Sequence, residues 1–219
     1  MQHNSRYVAV NGRELRAQRL SRGLTQDRLG KLAGYTDRLV RKAEKGGTLD
    51  IATVQDLAEA LSMTGEPVSC RDLTLDILSI ARLWMECFEE LQEKMLPKVE
   101  SFYAPEFELI CPGDPGSTPF VGTWRGLEGM QQWLDLFFGF FVREKAEHVE
   151  YFVGENSVVA RWMERCSLQG VPCDPVRINL YFEFRDGRIV RMCDDYDTHS
   201  GATAIEKAQS NLKDNGQAD

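Results

Sequence analysis

The chain has 219 residues, which is too long for one small DNA-binding domain and suits two modest domains. Its 42% hydrophobic and 27% charged residues are typical of an ordinary soluble globular protein. The net charge of −8 is unevenly spread, because residues 1–65 hold 11 Lys and Arg against 7 Asp and Glu, while the remainder is strongly acidic. A basic head on an acidic body fits a head that meets a polyanion.

Several classes of site and location are excluded by what the sequence lacks. No apolar run approaches the roughly 20 residues that span a bilayer, and the N-terminus has no signal-peptide core, so we expect a cytoplasmic protein without a membrane partner. The six cysteines show no CxxC pair and no Cys/His spacing of a metal site, and we expect them to be reduced thiols. No Gly-rich phosphate loop or dinucleotide fingerprint occurs, and we predict no cofactor.

The first distinctive stretch runs from Leu24 to Lys45 and predicts two short helices joined by a tight turn. Thr25 and Thr36 stand where N-caps are needed, and Gly34 supplies the flexible turn residue. The second helix carries polar, mostly basic side chains on its outer side, as a DNA recognition helix requires. A helix capped by Asn11 precedes this stretch, a helix over 51–63 capped by Asp50 follows it, and residues 69–73 predict a short fifth helix.

Residues 12–63 resemble the helix-turn-helix domains of the lambda-repressor/Cro type, the XRE family. The resemblance rests on Leu15 and Arg19, on Leu24-Thr25-Gln26, on Ala33-Gly34-Tyr35-Thr36, on Glu44-Lys45-Gly46 and on the closing Leu57-Ala58 and Leu61. It implies a double-stranded DNA partner. It also implies that Gln26 touches phosphate, and that bases and backbone are contacted by Thr36, Asp37, Arg38, Arg41 and Lys42.

Two residues depart from the family pattern. Gly30 occupies a close helix contact where the family usually has Ala, and glycine should cost the helix about 1 kcal/mol. Asp37 is unusual beside phosphate. Its carboxylate could accept a hydrogen bond from a cytosine amino group, or it could stabilise the helix N-terminus, and the residue pattern leaves both roles open.

After a Gly- and Pro-containing segment at 64–69, the pattern becomes that of an α+β domain. Helical periodicity covers 76–95 and 127–141, with strands expected at 106–111 and around Trp124. Strands then follow at 146–153, 157–168, 176–185 and 188–196, and Asp186-Gly187 is a two-residue hairpin signal between the last two. This order predicts helices on one face of a curved sheet.

Residues 76–200 resemble the SnoaL-like branch of the nuclear-transport-factor-2-like superfamily. The resemblance rests on element order and on the segments 120–126, 186–191 and 195–198. It implies a cone: a curved antiparallel sheet wrapped on helices, with a pocket at its open end. We therefore predict an all-α helix-turn-helix N-terminal domain (1–65), a linker or short fifth helix (66–75), an α+β cone-shaped C-terminal domain (76–200) and a C-terminal tail (201–219).

Candidate pocket residues follow from the same resemblance. Asp197 matches the acidic residue that the family's cyclases carry near the end of the last strand, and it could act as a general acid or base. It could equally end the strand or cap a helix that starts near Ser200. Asp195 shares its strand face. The other side chains expected around a ligand are Trp124, His148, Arg161, Asn179 and Tyr181.

Three functions remain open at this level. The favoured one is a DNA-binding transcriptional regulator whose C-terminal domain forms a homodimer and binds a small apolar ligand. The alternative is a cyclase, isomerase or hydrolase acting on a small ring substrate, with Asp197 as acid/base. The third is a body that serves only for dimerisation. The regulator is favoured because the motif in the head is more specific than any motif in the body.

Overall fold

The computed structural model describes residues 7–116 and 118–216. The described chain forms two compact units. The first comprises the residues up to Ile80 together with Arg185–Arg188, and the second comprises Ala81–Phe184 together with the residues from Ile189 onward. We call them the head and the body, and each is described by itself.

The head contains four α-helices and three short strands. In chain order they are β1 (Tyr7–Val10), α1 (Gly12–Ser21), α2 (Gln26–Ala33), α3 (Asp37–Glu44), β2 (Gly47–Asp50), α4 (Ile51–Ser62) and β3 (Thr74–Leu75), with a 3₁₀ turn at Cys70–Leu73. All four predicted N-caps are confirmed: the side chains of Asn11, Thr25, Thr36 and Asp50 each accept a backbone N–H of the following helix. The helices therefore begin where short polar side chains satisfy their free N–H groups.

The strands of the head were not predicted. They form a three-stranded sheet of order β2-β1-β3, in which β1 lies antiparallel to both neighbours. Tyr7–Val10 forms a strand before the helix capped by Asn11, where no element was predicted, and residues 1–6 lie outside the described ranges. Ala9 and Val10 are buried, so pairing lets this short apolar segment join the core while its backbone groups are satisfied.

The core of the head sits between its helices. Leu15 of α1, Leu29 of α2 and Val40 of α3 are fully buried together, and Leu57 and Leu61 of α4 complete the cluster. Gly34 ends α2 with a φ of 78°, which lets the chain turn directly into α3. The helical head is thus confirmed, with a small sheet in addition.

The body contains four further helices and nine further strands in its described residues. They are α5 (Ile77–Leu91), α6 (Leu96–Val99), β4 (Tyr103–Cys111), β5 (Gly122–Arg125), α7 (Gly126–Phe140), β6 (Val142–Arg143), β7 (Glu150–Val153), β8 (Ser157–Glu164), β9 (Cys166–Leu168), β10 (Val171–Pro172), β11 (Val176–Arg185), β12 (Arg188–Tyr196) and α8 (Thr198–Gly216).

Six strands form the main sheet in the order β5-β4-β12-β11-β8-β7. The predicted α+β class is confirmed, but the sheet is mixed rather than wholly antiparallel, because β12 runs parallel to β4. These two strands are separated by most of the body, so no tight hairpin dictates their relative direction. Between β11 and β12, Asp186 and Gly187 both have positive φ, as the predicted two-residue turn requires. A smaller sheet has the order β10-β9-β6.

Strand alternation gives the main sheet two different faces. The inner face is buried and carries Val158, Ala160, Trp162, Ile178 and Leu180. Aromatic side chains of α5 and α7 form the adjoining core, where Trp84 stacks on Phe88 and Phe88 on Trp133. The outer face carries the alternate residues of the same strands, which are exposed or half-buried. The side chains of the inner face therefore form the interior of the body.

The C-terminal segment is more ordered than a tail. The sequence predicted a C-terminal tail over 201–219, whereas α8 begins at Thr198 and continues to Gly216, and residues 217–219 lie outside the described ranges. Ala204, Ile205 and Ala208 of α8 are buried, which explains why the helix is held in place. No helix of the described residues has the length and apolarity that crossing a membrane would need.

Candidate functional site

The first candidate site is the exposed surface of α3. Val40 and Ala43 are buried on its inner side, and this packing turns Arg38, Arg41 and Lys42 outward. Thr36, the N-cap, is also exposed and accepts the Leu39 N–H at 3.4 Å. A helix N-terminus with basic side chains around it presents positive potential and free donors to an anion.

Asp37 pairs with Arg41 rather than standing alone. A guanidinium nitrogen of Arg41 lies 2.7 Å from the Asp37 carboxylate, one helical turn away, and both side chains are largely exposed. The pair leaves Arg38 and Lys42 as the α3 cations without a recorded partner in the described residues. Asp37 therefore orients Arg41 along the helix surface, and an exposed pair of this kind is worth only a few tenths of a kcal/mol.

Gln26 lies in a buried polar cluster behind this surface. Its Nε2 donates to Glu44 Oε2 at 2.8 Å, and Glu44 also forms a buried ion pair with Arg19. Burial alone would raise the pKa of Glu44, but hydrogen bonds from Arg19 and Gln26 outweigh it and the pKa is lowered. The cluster joins α1, α2 and α3, so Gln26 has a structural role in addition to the phosphate contact that the resemblance implies. The second N–H of its amide remains available for that contact.

The turn between α2 and α3 is anchored by Tyr35, a contact that sequence reasoning missed. Its hydroxyl donates to Asp56 Oδ2 at 2.6 Å, which ties the turn to α4. This hydrogen bond, made stronger by the charge of Asp56, raises the pKa of Tyr35. Helix α3 is therefore fixed at its N-terminal end as well as along its buried side.

The residues predicted for the ligand pocket do not meet in the interior of the body. Arg161, Asn179, Tyr181 and Asp195 lie on the outer face, where Arg161 Nε donates to Asn179 Oδ1 at 2.9 Å. His148 is exposed in the segment before β7. Trp124 is half-buried on β5, and its indole N–H donates to the Phe120 carbonyl at 3.0 Å. The structure therefore contradicts this set as the lining of one enclosed pocket.

Asp197 is exposed and caps α8. Its carboxylate accepts the backbone N–H of Ser200 and of His199 at 3.1 Å each, and the Ser200 hydroxyl at 2.8 Å. These hydrogen bonds, those from Ser200 first, lower the pKa of Asp197. A proton-transfer role needs a carboxyl in an apolar pocket with a raised pKa, so the acid/base assignment to Asp197 is corrected. The capping role that the sequence also allowed is the one observed.

Three predicted residues meet elsewhere. Asn179, Asp195 and Asp197 line an open groove of about 580 Å³ at the outer side of the body, together with Arg177 and Ser200. This groove is polar and open to solvent, unlike the apolar sites in which small molecules are usually enclosed. It therefore does not replace the predicted pocket.

A partly open cavity of about 60 Å³ lies on the inner side of the sheet. Phe120, Phe137 and Phe141 form an aromatic wall, and residues of α8 close the opposite side. Its polar wall includes Asp194 and Glu164, both of which are buried inner-face residues. This cavity, rather than the predicted residue set, is the second candidate site.

Glu164 belongs to a buried cluster in which one guanidinium pairs with two carboxylates. Arg143 forms two hydrogen bonds to its carboxylate, at 2.7 and 2.8 Å, and a third to Glu89 at 3.0 Å. Trp162 Nε1 also donates to Glu164 at 2.8 Å. The guanidinium additionally lies 4.4 Å from the centre of the Phe88 ring. Such a buried arrangement is stable only because the charges and donors are paired.

Asp194 is different, because only the Cys111 thiol donates to it, at 3.6 Å, among the described residues. Burial raises the pKa of Asp194 to about 7, and the charges of Glu164 and Asp195 add to this, while the thiol and Arg143 oppose it. A carboxyl that titrates near neutral pH in an apolar cavity is a candidate functional group. Sequence reasoning missed it because it selected Asp195 and Asp197, which share the opposite strand parity. The signal in the sequence for an inward-facing Asp194 was the apolar residue Met192, which lies two positions earlier on the same strand face.

Two domain families match the chain. A helix-turn-helix domain model matches residues 12–69, and a SnoaL-like domain model matches residues 84–192. No curated protein sequence matches the chain. The described residues also contain no group of three or more His, Cys, Asp or Glu side chains placed to hold a metal ion.

Solved structures resemble the body alone. An NTF2-like protein of unknown function from Burkholderia pseudomallei matches with a TM-score of 0.50 and 18% identity, over 57% of this chain and 96% of that one. An NTF2-like protein from Burkholderia xenovorans gives a TM-score of 0.49 and 16% identity, over 58% of this chain and 94% of that one. At such identity the likeness concerns the fold and not the activity. The chain joins a helix-turn-helix domain to a SnoaL-like domain of NTF2-like fold.

Proposed function

We propose that this protein is a DNA-binding transcriptional regulator of the XRE type whose head reads double-stranded DNA through α3. The observation that carries the proposal is the set of exposed basic side chains along α3, a helix held in place by its buried inner side and by the Tyr35 anchor. Arg38 is placed in the first turn, where a recognition helix reaches base edges, and Lys42 lies one turn later, where phosphate is met.

The body serves as a dimerisation and ligand-binding module in this proposal. Two observations support that role: exposed apolar side chains on the outer face of the sheet, and a partly open cavity on its inner side. A two-fold symmetric dimer would present two recognition helices to half-sites about 34 Å apart, one turn of the double helix. The proposed regulator therefore binds a palindromic site and responds to a small molecule.

Selection of bound sequences from random DNA tests the head. The wild-type protein should enrich a palindromic sequence, with an affinity that falls steeply as salt rises because Lys and Arg release counterions from phosphate. Arg38→Ala should weaken binding to the selected site by about 1–3 kcal/mol and relax the preference at one position of each half-site. Arg82→Ala removes an exposed arginine of α5, away from the outer face of the sheet, and should leave the preference unchanged.

The selection has two outcomes that would overturn the proposal. One is that the wild-type protein enriches no sequence above the starting pool at low salt. The other is that Arg38→Ala selects the same sequence with the same affinity as the wild-type protein, which would place base recognition outside α3.

A further inference from the structure

The strongest unassigned feature is the carboxyl of Asp194 in the cavity. Its side chain is buried, with 8% of the residue exposed, and it lines the cavity wall. A buried carboxylate normally accepts several hydrogen bonds, yet the weak Cys111 donor at 3.6 Å is its sole recorded partner among the described residues. The carboxylate oxygens of Asp194 are therefore available to accept hydrogen bonds from a ligand in the cavity.

The cavity has no cation that could neutralise Asp194. None of the described side chains along its wall is Lys, Arg or His. The nearby Arg143 is already paired with the two carboxylates of Glu89 and Glu164. The buried groups thus carry an excess of negative charge when Asp194 is ionised, and an anionic ligand would add to it. A bound cation would instead balance it.

The opposite wall suits a cation as well. The rings of Phe120 and Phe137 meet edge to face at 5.1 Å, and those of Phe120 and Phe141 at 5.7 Å. Aromatic faces attract ammonium groups, most strongly where water is excluded. The combination of a buried carboxyl and several aromatic rings distinguishes this cavity from a wholly apolar one, which would favour an uncharged ligand.

The volume limits the size of the occupant. About 60 Å³ is well below the roughly 150 Å³ of a cavity known to hold benzene, so only a few heavy atoms fit while α8 stays in place. Gly201, Ala204 and Ile205 of α8 close the cavity, and a larger ligand would have to displace this helix. The small side chains at Gly201 and Ala204 set how closely the helix approaches.

We propose that the cavity binds a small alkylammonium ion, with its charged nitrogen on Asp194 and its alkyl group against Phe120, Phe137 and Phe141. This inference rests on the proposed role of the body as a ligand-binding module and names the chemical class of the ligand. The ammonium donates a charge-assisted hydrogen bond to the carboxylate, and the alkyl part replaces water along the aromatic wall.

Binding should depend on pH in a defined direction. The ammonium ion stays protonated below about pH 9, by analogy with lysine. Asp194 must lose its proton to pair with it, so affinity should rise as pH increases from 6 to 8 and then level off. The titratable and charged groups that face Asp194 or adjoin it are Cys111, Arg143, Glu164, Cys193, Asp195 and Tyr196.

The test uses the full-length protein without DNA and three probes that share an isopropyl group: isopropylammonium, isopropanol and isobutyrate. Binding is followed by the chemical shifts of the protein as each probe is added. Isopropylammonium should bind at least about tenfold more tightly than isopropanol at pH 8, which corresponds to one charge-assisted hydrogen bond, and isobutyrate should not bind. The preference should shrink at pH 6.

Two variants complete the experiment. Asp194→Asn should reduce the affinity for isopropylammonium to that for isopropanol. Asp135→Asn makes the same change at an exposed residue of α7 that does not line the cavity, and it should leave the affinity within about twofold. The pH profile of the wild-type protein requires no variant, so it decides the matter even if Asp194→Asn fails to fold.

Several results would overturn the inference: equal affinity for the ammonium and the alcohol, preference for isobutyrate, no binding of isopropylammonium at 50 mM, or full affinity in Asp194→Asn. Because DNA is absent, these results do not depend on sequence recognition by the head. A failed DNA selection together with ammonium binding would overturn the proposed regulator and not the cavity's ligand class.

Discussion

Asp194 shows how one strand position can change both stability and chemistry. Burial raises the pKa of its carboxyl from an ordinary value of 3.8 to about 7. Between these values the folded protein binds a proton that the unfolded chain releases. Stability should therefore fall as pH rises from about 4 to 7, because folding increasingly requires either proton uptake or a buried charge.

Asp194→Asn removes this titration while keeping the shape of the side chain. Relative to the wild-type protein, the variant should gain up to about 4 kcal/mol of unfolding free energy between pH 4 and pH 8, three pKa units at 1.36 kcal/mol each. Urea unfolding at several pH values measures the difference, and exposed Asp174→Asn should show none. A difference between Asp194→Asn and the wild-type protein that stays constant with pH would contradict the raised pKa.

The sequence alone could not decide which of two neighbouring aspartates, Asp194 or Asp195, faces the interior of the body. The sequence correctly indicated that acidic residues cluster at the end of the last strand. It did not show which parity faces inward, since Asp194 and Asp195 adjoin each other and a shift of one residue reverses every side chain. The partner of Asp194, Cys111, lies 83 positions earlier, and only the parallel pairing of β4 with β12 brings them together.

At the scale of elements, local chemistry made the helices of the head predictable. The caps Thr25 and Thr36 and the turn residue Gly34 are each read from sequence and each take the expected role. The strands β1 and β2 were not foreseen, because they are short and gain their stability from each other and from the core. The buried contacts of Arg19 and Tyr35 depend likewise on distant residues, Glu44 and Asp56.

The glycines of the head have a role that propensity alone misjudges. A Cβ atom at position 30 would lie 2.9 Å from the Tyr35 carbonyl oxygen, so Gly30 lets α2 approach the turn closely. Glycine destabilises a helix by about 1 kcal/mol relative to alanine, and this close packing offsets that cost. Gly12 is more restricted, because a Cβ atom would lie 2.6 Å from the Glu44 carbonyl oxygen and 2.7 Å from the Ala43 carbonyl oxygen.

Gly12→Ala should therefore destabilise the head, although alanine is the better helix former. The added methyl group meets backbone atoms of α3 that cannot rotate away, and we expect a loss of about 2 kcal/mol. Gly139→Ala is the matched control, since that helical glycine has an ordinary φ and open space around its Cβ position. It should gain up to about 1 kcal/mol. Thermal unfolding measures both, and equal stabilisation by the two variants would contradict the close packing of α1 on α3.

At the scale of the whole molecule, the two-part organisation was readable from composition and pattern. The helix-turn-helix domain lies in the basic N-terminal segment. The change from helical to alternating periodicity of the apolar residues indicates the α+β body. The predicted domain boundaries and the homodimer stay predictions. What the sequence could not supply was the direction of β4 relative to β12 and the identity of the cavity wall, because both arise from pairings between distant segments.

The proposed homodimer has a surface that can be tested. Phe152 and Met163 lie on the outer face and are 46% and 42% exposed, and Phe152 is stacked under the Arg161 guanidinium at 4.5 Å. Large apolar side chains that are exposed to solvent beside an arginine resemble the residues that contribute most binding energy in protein–protein interfaces. We therefore expect the protein to sediment at twice the chain mass of 24.9 kDa.

Met163→Glu should shift this equilibrium to the monomer, because dimerisation through the outer face would bury the new carboxylate, and the dissociation constant should rise by at least about tenfold. Leu127→Glu introduces the same charge at an exposed apolar residue of α7, next to β5 at the opposite edge of the sheet from β8 and β7, and should stay dimeric. Analytical ultracentrifugation of the three proteins decides between the alternatives. If the dimer uses the outer face and spans two half-sites, Met163→Glu should also lose most of its affinity for a palindromic site while keeping that for a single half-site. A Met163→Glu protein that sediments as a dimer would show that any interface lies elsewhere.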